Sequence, residues 1–88
     1  MRYSVLILRR AEKQLRKLPV ATQERIAESI GVLAHNPDNP ALDIKALTND
    51  PEAGYRLRIG SYRVKYSRDD SIRILEIVRV GHRKDIYR

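Results

Sequence analysis

The last seven positions of the chain hold His82, Arg83, Lys84 and Tyr87, an imidazole, two cations and a phenol within a few residues of one another. These are the groups that cleavage of an RNA strand calls for. Attack of a ribose 2′-OH on its own 3′-phosphate needs a base for the hydroxyl, an acid for the leaving 5′-oxygen and cations for the dianionic transition state. The reaction calls for no metal and no cofactor. Imidazole exchanges protons near neutrality, and a phenol does so only where neighbouring cations lower its pKa. The plainer readings are that Tyr87 anchors the tail and that His82 is a hydrogen-bonded turn residue.

A second set of candidates lies on a hairpin. Tyr55 to Ile59 and Tyr62 to Ser67 alternate apolar and basic residues around Gly60-Ser61, a two-residue turn with Gly where a type II′ turn needs it. That turn sets Ile59 opposite Tyr62, Arg58 opposite Arg63, Leu57 opposite Val64 and Arg56 opposite Lys65. Tyr55, Leu57, Ile59, Tyr62, Val64 and Tyr66 then share one face, and Arg56, Arg58, Arg63 and Lys65 share the other. Each directly opposed pair of like charges costs a few tenths to about 1 kcal/mol. A solvated outer face tolerates this; a face on which anions come to sit requires it.

The charge distribution points the same way. Residues 1–54 carry 8 Lys/Arg against 7 Asp/Glu, and residues 55–88 carry 10 against 4, so the net charge of +7 belongs to the C-terminal part. Eight of those ten are Arg, whose planar guanidinium suits bidentate phosphate contact and base stacking. With 88 residues the chain has room for one hydrophobic core, and residues 1–88 are read as a single domain. The absence of cysteine fits a reducing compartment, and the cytoplasm is expected. The apolar run Val5 to Leu8 is too short for a signal peptide, and no stretch approaches a membrane span.

The elements that must position these groups follow in order. Tyr3 to Leu8 reads as a strand. Ala11, Leu15 and Leu18 recur at helical spacing up to Pro19, and Ile26, Ile30 and Leu33 form a second apolar stripe ending before Asn36-Pro37. Residues 36–54 read as a long connection in which Leu42, Ile44 and Leu47 pack down. A three-stranded antiparallel meander follows: Tyr55 to Ile59, Tyr62 to Ser67 and Ile72 to Val80. In the last strand Arg73 and Arg79 alternate with Leu75 and Ile77, and Ile72, Ile74, Glu76, Val78 and Val80 take the other face. The expected class is α+β: one strand, an antiparallel two-helix hairpin, then the meander, in one sheet with the helices on one face. His35 is explained by a helix C-terminus, and Arg9, Arg10, Lys13, Arg16 and Lys17 by a solvated helix face.

The runs Tyr55-Arg56-Leu57-Arg58-Ile59-Gly60-Ser61-Tyr62-Arg63-Val64 and Val78-Arg79-Val80-Gly81-His82-Arg83, together with Tyr87, resemble the RelE family of toxins from toxin–antitoxin modules. The resemblance extends over the whole length. It implies an endoribonuclease that cuts mRNA in the ribosomal A site and is held inactive by an acidic antitoxin, with operator DNA bound only by the toxin–antitoxin complex. By the same resemblance the catalytic residues are Arg63, His82, Arg83 and Tyr87, and Arg56 and Arg58 bind RNA; the basic residues Lys65, Arg79 and Lys84 of the strands and tail are expected to join them in binding RNA. Where the best-known members carry lysines, this chain has Arg56 and Arg58, which do not give up a proton, so proton transfer falls on His82 and Tyr87.

Two other functions share these features. A ParE-like gyrase poison has the same fold but binds a protein, and has no use for a His82/Tyr87 pair beside four cations. A non-catalytic nucleic-acid-binding module predicts binding with steep salt dependence and no cleavage.

Overall fold

The computed structural model describes residues 2–86. Its elements run β1 (Ser4–Ile7), α1 (Arg9–Arg16), α2 (Val20–His35), β2 (Asp43–Ala46), β3 (Tyr55–Ile59), β4 (Tyr62–Asp69), β5 (Ile74–His82) and α3 (Arg83–Ile86). The five strands form one sheet in the order β1-β5-β4-β3-β2, antiparallel except for β1 beside β5. The α+β class is as expected. No helix among the described residues is long and apolar enough to cross a membrane.

Both helices bury the stripes that their spacing announces. Ala11 from α1 and Ile26, Ile30, Leu33 and Ala34 from α2 join Leu57, Ile59, Val64, Tyr66, Leu75, Ile77 and Val80 of the sheet in one core. Pro19 sits between the helices as the N-cap of α2, where its missing N–H leaves no intrahelical bond unmade. The hairpin register is the one its turn dictates: Ile59 pairs Tyr62, Arg58 pairs Arg63, Leu57 pairs Val64 and Arg56 pairs Lys65. Gly60 takes φ +57 and Ser61 does not, as a Gly-first turn requires.

Three features depart from the expectation. Residues 43–46 are a fifth strand, where a connection was expected. This β2 is four residues long on the sheet edge, too short for its alternation to stand out, although Leu42 and Ile44 do pack against the core. The tail folds into a single helical turn, α3.

The third departure decides where Arg79 points. Lys65 pairs Arg79 but Tyr66 pairs Ile77, so Val78 is an extra residue, a bulge in β5. Simple alternation would put Arg79 on the core face with Leu75 and Ile77. The bulge reverses the parity, placing Val80 opposite Val64 in the core and Arg79 opposite Lys65 outside. Beyond Ile77 the strand has left β1, and the Gln14 side chain of α1 takes over by accepting the Val80 N–H at 2.9 Å.

Candidate nucleic-acid interface

Strand register gathers the basic residues into two rows across the outer face of the sheet. Lys45, Arg56, Lys65 and Arg79 stand side by side on β2, β3, β4 and β5, and the neighbouring row is Asp43, Arg58, Arg63 and Gly81. The expected common face is therefore present, and β2 adds Lys45 and Asp43 to it. Four adjacent cations in one row repel one another, so something must offset them.

The offset comes from the segment between Leu47 and Gly54, closed at its base by the Leu47 N–H donating to the Gly54 carbonyl at 2.8 Å. Its Asp50 accepts from Lys65 at 2.6 Å. Glu52 accepts from Lys65 at 3.1 Å, takes a two-pronged bond from Arg79 (Nε at 3.1 Å, Nη2 at 2.8 Å) and also pairs with Arg10 of α1. The Arg79 guanidinium, with Arg10 and Lys65 behind it, overrides partial burial and holds the Glu52 carboxyl down at about 2. Asp50 is lowered chiefly by its bond to Lys65. Burial works against the Lys65 ammonium, but Asp50 and Glu52 outweigh it and leave its pKa raised. Arg56 faces Asp43 at 3.5 Å, and its Nε is buried without a hydrogen-bond partner.

Lys65 and Arg79, expected as RNA contacts, are thus engaged in an ionic cluster with Asp50, Glu52 and Arg10. Lys65 is 5% exposed. Asp50 and Glu52 were missed because they fall in a stretch without periodicity; the available signal was two acids in a Pro-flanked connection of a chain whose cationic hairpin had no counter-charge.

The second row differs. Arg63, 7% exposed, curls over the hairpin turn, its Nη1 donating to the carbonyls of Gly60 at 2.8 Å and Tyr62 at 3.0 Å. Among the described residues it has no carboxylate partner. Arg58 beside it is half exposed and lies 3.9 Å from Asp43. Gly81 leaves the next position free of a side chain, and a Cβ there would meet Ile86 at 3.4 Å, so α3 lies over this end of the face. The Arg83 N–H donates to the Ser61 carbonyl at 2.8 Å, which fixes the start of α3 against the hairpin turn, and Arg83 and Lys84 on that helix are exposed. From the helix layer, the Arg25 guanidinium approaches Gly60 to within 3.3 Å of where a Cβ would stand.

His82 is not on the cationic face. It pairs Tyr62, one residue out of step with Arg63, and so shares the side of Val64 and Val80. Its ring meets Tyr62 edge-on at 5.6 Å, and its Nδ1 accepts the Lys84 N–H at 3.2 Å. With that lone pair engaged, the neutral ring carries its proton on Nε2. Tyr87 lies outside the described residues.

The model of the "ParE toxin of type II toxin-antitoxin system, parDE" matches residues 5–87. The chain is 34% identical over 89 residues to toxin RelG of Mycobacterium tuberculosis, covering 100% of this chain and 99% of that one. It belongs to the RelE/ParE family of toxins. Toxin RelE of the same organism is 34% identical over 87 residues, covering 98% of this chain and 87% of the relative. Among solved structures, the archaeal RelE–RelB complex of Pyrococcus horikoshii contains a chain that superposes with a TM-score of 0.80 at 30% identity, with 97% of this chain and 99% of that one covered. The RelBE2 toxin–antitoxin complex of M. tuberculosis gives 0.79 at 29% identity, with 93% and 99% covered. As a RelE/ParE toxin, the chain shares the fold of these relatives, and its outer sheet face carries the acid cluster of Asp50 and Glu52.

Proposed function

We propose that this RelE-family toxin is an endoribonuclease that cuts mRNA in the ribosomal A site by attack of a 2′-OH on the adjacent phosphate. One observation carries the reading. The hairpin end of the outer face sets Arg58 opposite Arg63, the exposed Arg83 and Lys84 follow on a helix whose first N–H is bonded to the turn, and Arg63 has no acid partner among the described residues. Arg63, buried and set opposite a like charge, is maintained at a cost, and a phosphate at that end would remove it.

In this reading Arg63 and Arg83 hold the non-bridging oxygens as charge develops, Arg56, Arg58 and Lys84 take the flanking backbone, and Tyr87 exchanges the proton. His82 acts as a positioning residue, since its Nδ1 holds the first turn of α3 and with it Arg83 and Lys84. An acidic antitoxin would hold the toxin inactive; that an antitoxin exists is supported by the RelB complexes in which relatives were solved. Operator DNA would then be bound only by that complex, and the setting of the reaction would be the cytoplasm.

Purified toxin added to programmed ribosomes is expected to give codon-positioned breaks ending in 2′,3′-cyclic phosphate. The second reading, a gyrase-directed toxin, is favoured by the ParE family model and by His82 facing away from the cations. Intact message together with inhibited DNA supercoiling would establish it.

A further inference from the structure

Arg10, Lys65 and Arg79 come from α1, β4 and β5 and converge on a single point, which a side chain of the same protein occupies. The occupant, Glu52, offers two oxygens and one negative charge. Arg79 grips both oxygens in a fork, Lys65 adds a point charge to one and Arg10 caps the other. This arrangement is the one by which a guanidinium and an ammonium hold the two non-bridging oxygens of a phosphodiester, a group of the same charge.

We infer that the Arg10–Lys65–Arg79 cluster is a second RNA-phosphate site, filled in the free toxin by the Glu52 carboxylate and taken over by the strand that the hairpin end binds. The inference rests on the RNA-cleaving reading above. Several observations carry it. The point is open to solvent, the side chains of Arg10, Arg79 and Glu52 being 52%, 26% and 25% exposed. Glu52 reaches it on a stem with rotatable bonds, so a change of rotamer vacates the site while Leu47 and Gly54 keep the segment closed. Lys65 is not stranded by the exchange, because Asp50 remains on it at 2.6 Å. Asp50 is itself held where it is, accepting the backbone N–H groups of Glu52 at 2.8 Å and Ala53 at 3.1 Å. Finally, the row of Lys65 and Arg79 lies two residues along β4 from that of Arg63, about 7 Å by the strand rise, comparable to the step between neighbouring phosphates of an extended strand.

The exchange makes Glu52 a competitor whose removal strengthens binding. The test uses a short single-stranded RNA with a 2′-O-methyl block against cleavage, and fluorescence anisotropy over a range of salt concentrations. The variants are Glu52→Gln and, as a control that removes the same charge elsewhere, Glu12→Gln, whose carboxylate pairs with Arg16 on the surface of α1. Glu52→Gln is expected to bind at least about threefold more tightly than Glu12→Gln, with a salt slope steeper by about 0.7, the increment for one further phosphate on a single strand. In the wild-type toxin, saturation with the same RNA is expected to shift the Arg79 Nε–H and Ala53 amide resonances, a readout that does not depend on the variant folding. Equal or weaker binding by a folded Glu52→Gln, or unmoved Arg79 and Ala53 resonances in RNA-saturated wild type, overturns the masked site while leaving the RNA reading in place. Wild type that neither binds the RNA nor cuts message on ribosomes overturns both.

Discussion

Arg63 has two backbone carbonyls for company and, among the described residues, no acid, whereas Lys65, two positions on, has two acids. That contrast fixes what each substitution should do. With Arg63 as the proposed transition-state donor, Arg63→Ala is expected to lower single-turnover cleavage on ribosomes by roughly 10²–10³, about 2.7–4 kcal/mol, with little change in ribosome affinity. Unchanged killing of cells by this variant would count decisively against the site. Tyr87→Phe should slow cleavage more than binding in the same assay. The sequence made Arg56, Arg58 and Arg63 legible because a Gly-Ser turn leaves one register and side chains alternate along it. It did not make the partners of Lys65 and Arg79 legible, because those are made by residues 13 and 27 positions away in a segment with no period. His82 was misplaced for a related reason: its side of the sheet depends on pairing with Tyr62, which the residues near it in the chain do not reveal.

At the scale of elements, β5 shows where alternation fails. Ile77-Val78 puts two buried apolar residues in succession, and only the bulge allows both to be covered and still turns Arg79 outward. Deletion of Val78 removes the extra residue and leaves Ile77 next to Arg79, so plain alternation keeps Arg79 outside opposite Lys65 and Val80 inside opposite Val64; the shortened chain is expected to keep a cooperative thermal melt, and loss of cooperative unfolding would refute the assignment. The turn makes a milder prediction. Gly60 lies at φ +57 with a guanidinium of Arg25 beside it, and Gly60→Ala should cost about 1–2 kcal/mol in urea unfolding, the penalty of a left-handed backbone for an L-residue. Helices, hairpin and meander were legible because each follows a period of its own. The edge strand β2 and the parallel placement of β1 were not, since four-residue strands take their place from the neighbours they pair with.

For the whole molecule, the acids on the cationic face tie stability to pH. Glu52 ionises well below its ordinary 4.5, down at about 2, so the stabilisation it brings is complete above pH 4.5 and drains away as the pH falls toward 2. Asp50 and Asp70, also lowered, drain in the same direction. Urea midpoints measured between pH 5 and pH 2, about the span of that titration, should therefore fall for wild type and fall less for Glu52→Gln. The overall charge of +7 was legible from composition; its partial neutralisation on one face was not, because that depends on contacts among α1, the segment after β2, and the sheet.

The pairing of β1 with β5 joins the first strand to be synthesised to the last, Ser4 lying beside Ile74. Until β5 emerges, β1 has no neighbour, α1 has no Val80 amide to cap, and Arg63 faces no Gly81. A nascent chain therefore cannot complete this sheet until β5 is free to pair, and the long separation of its two paired strands makes that step slow.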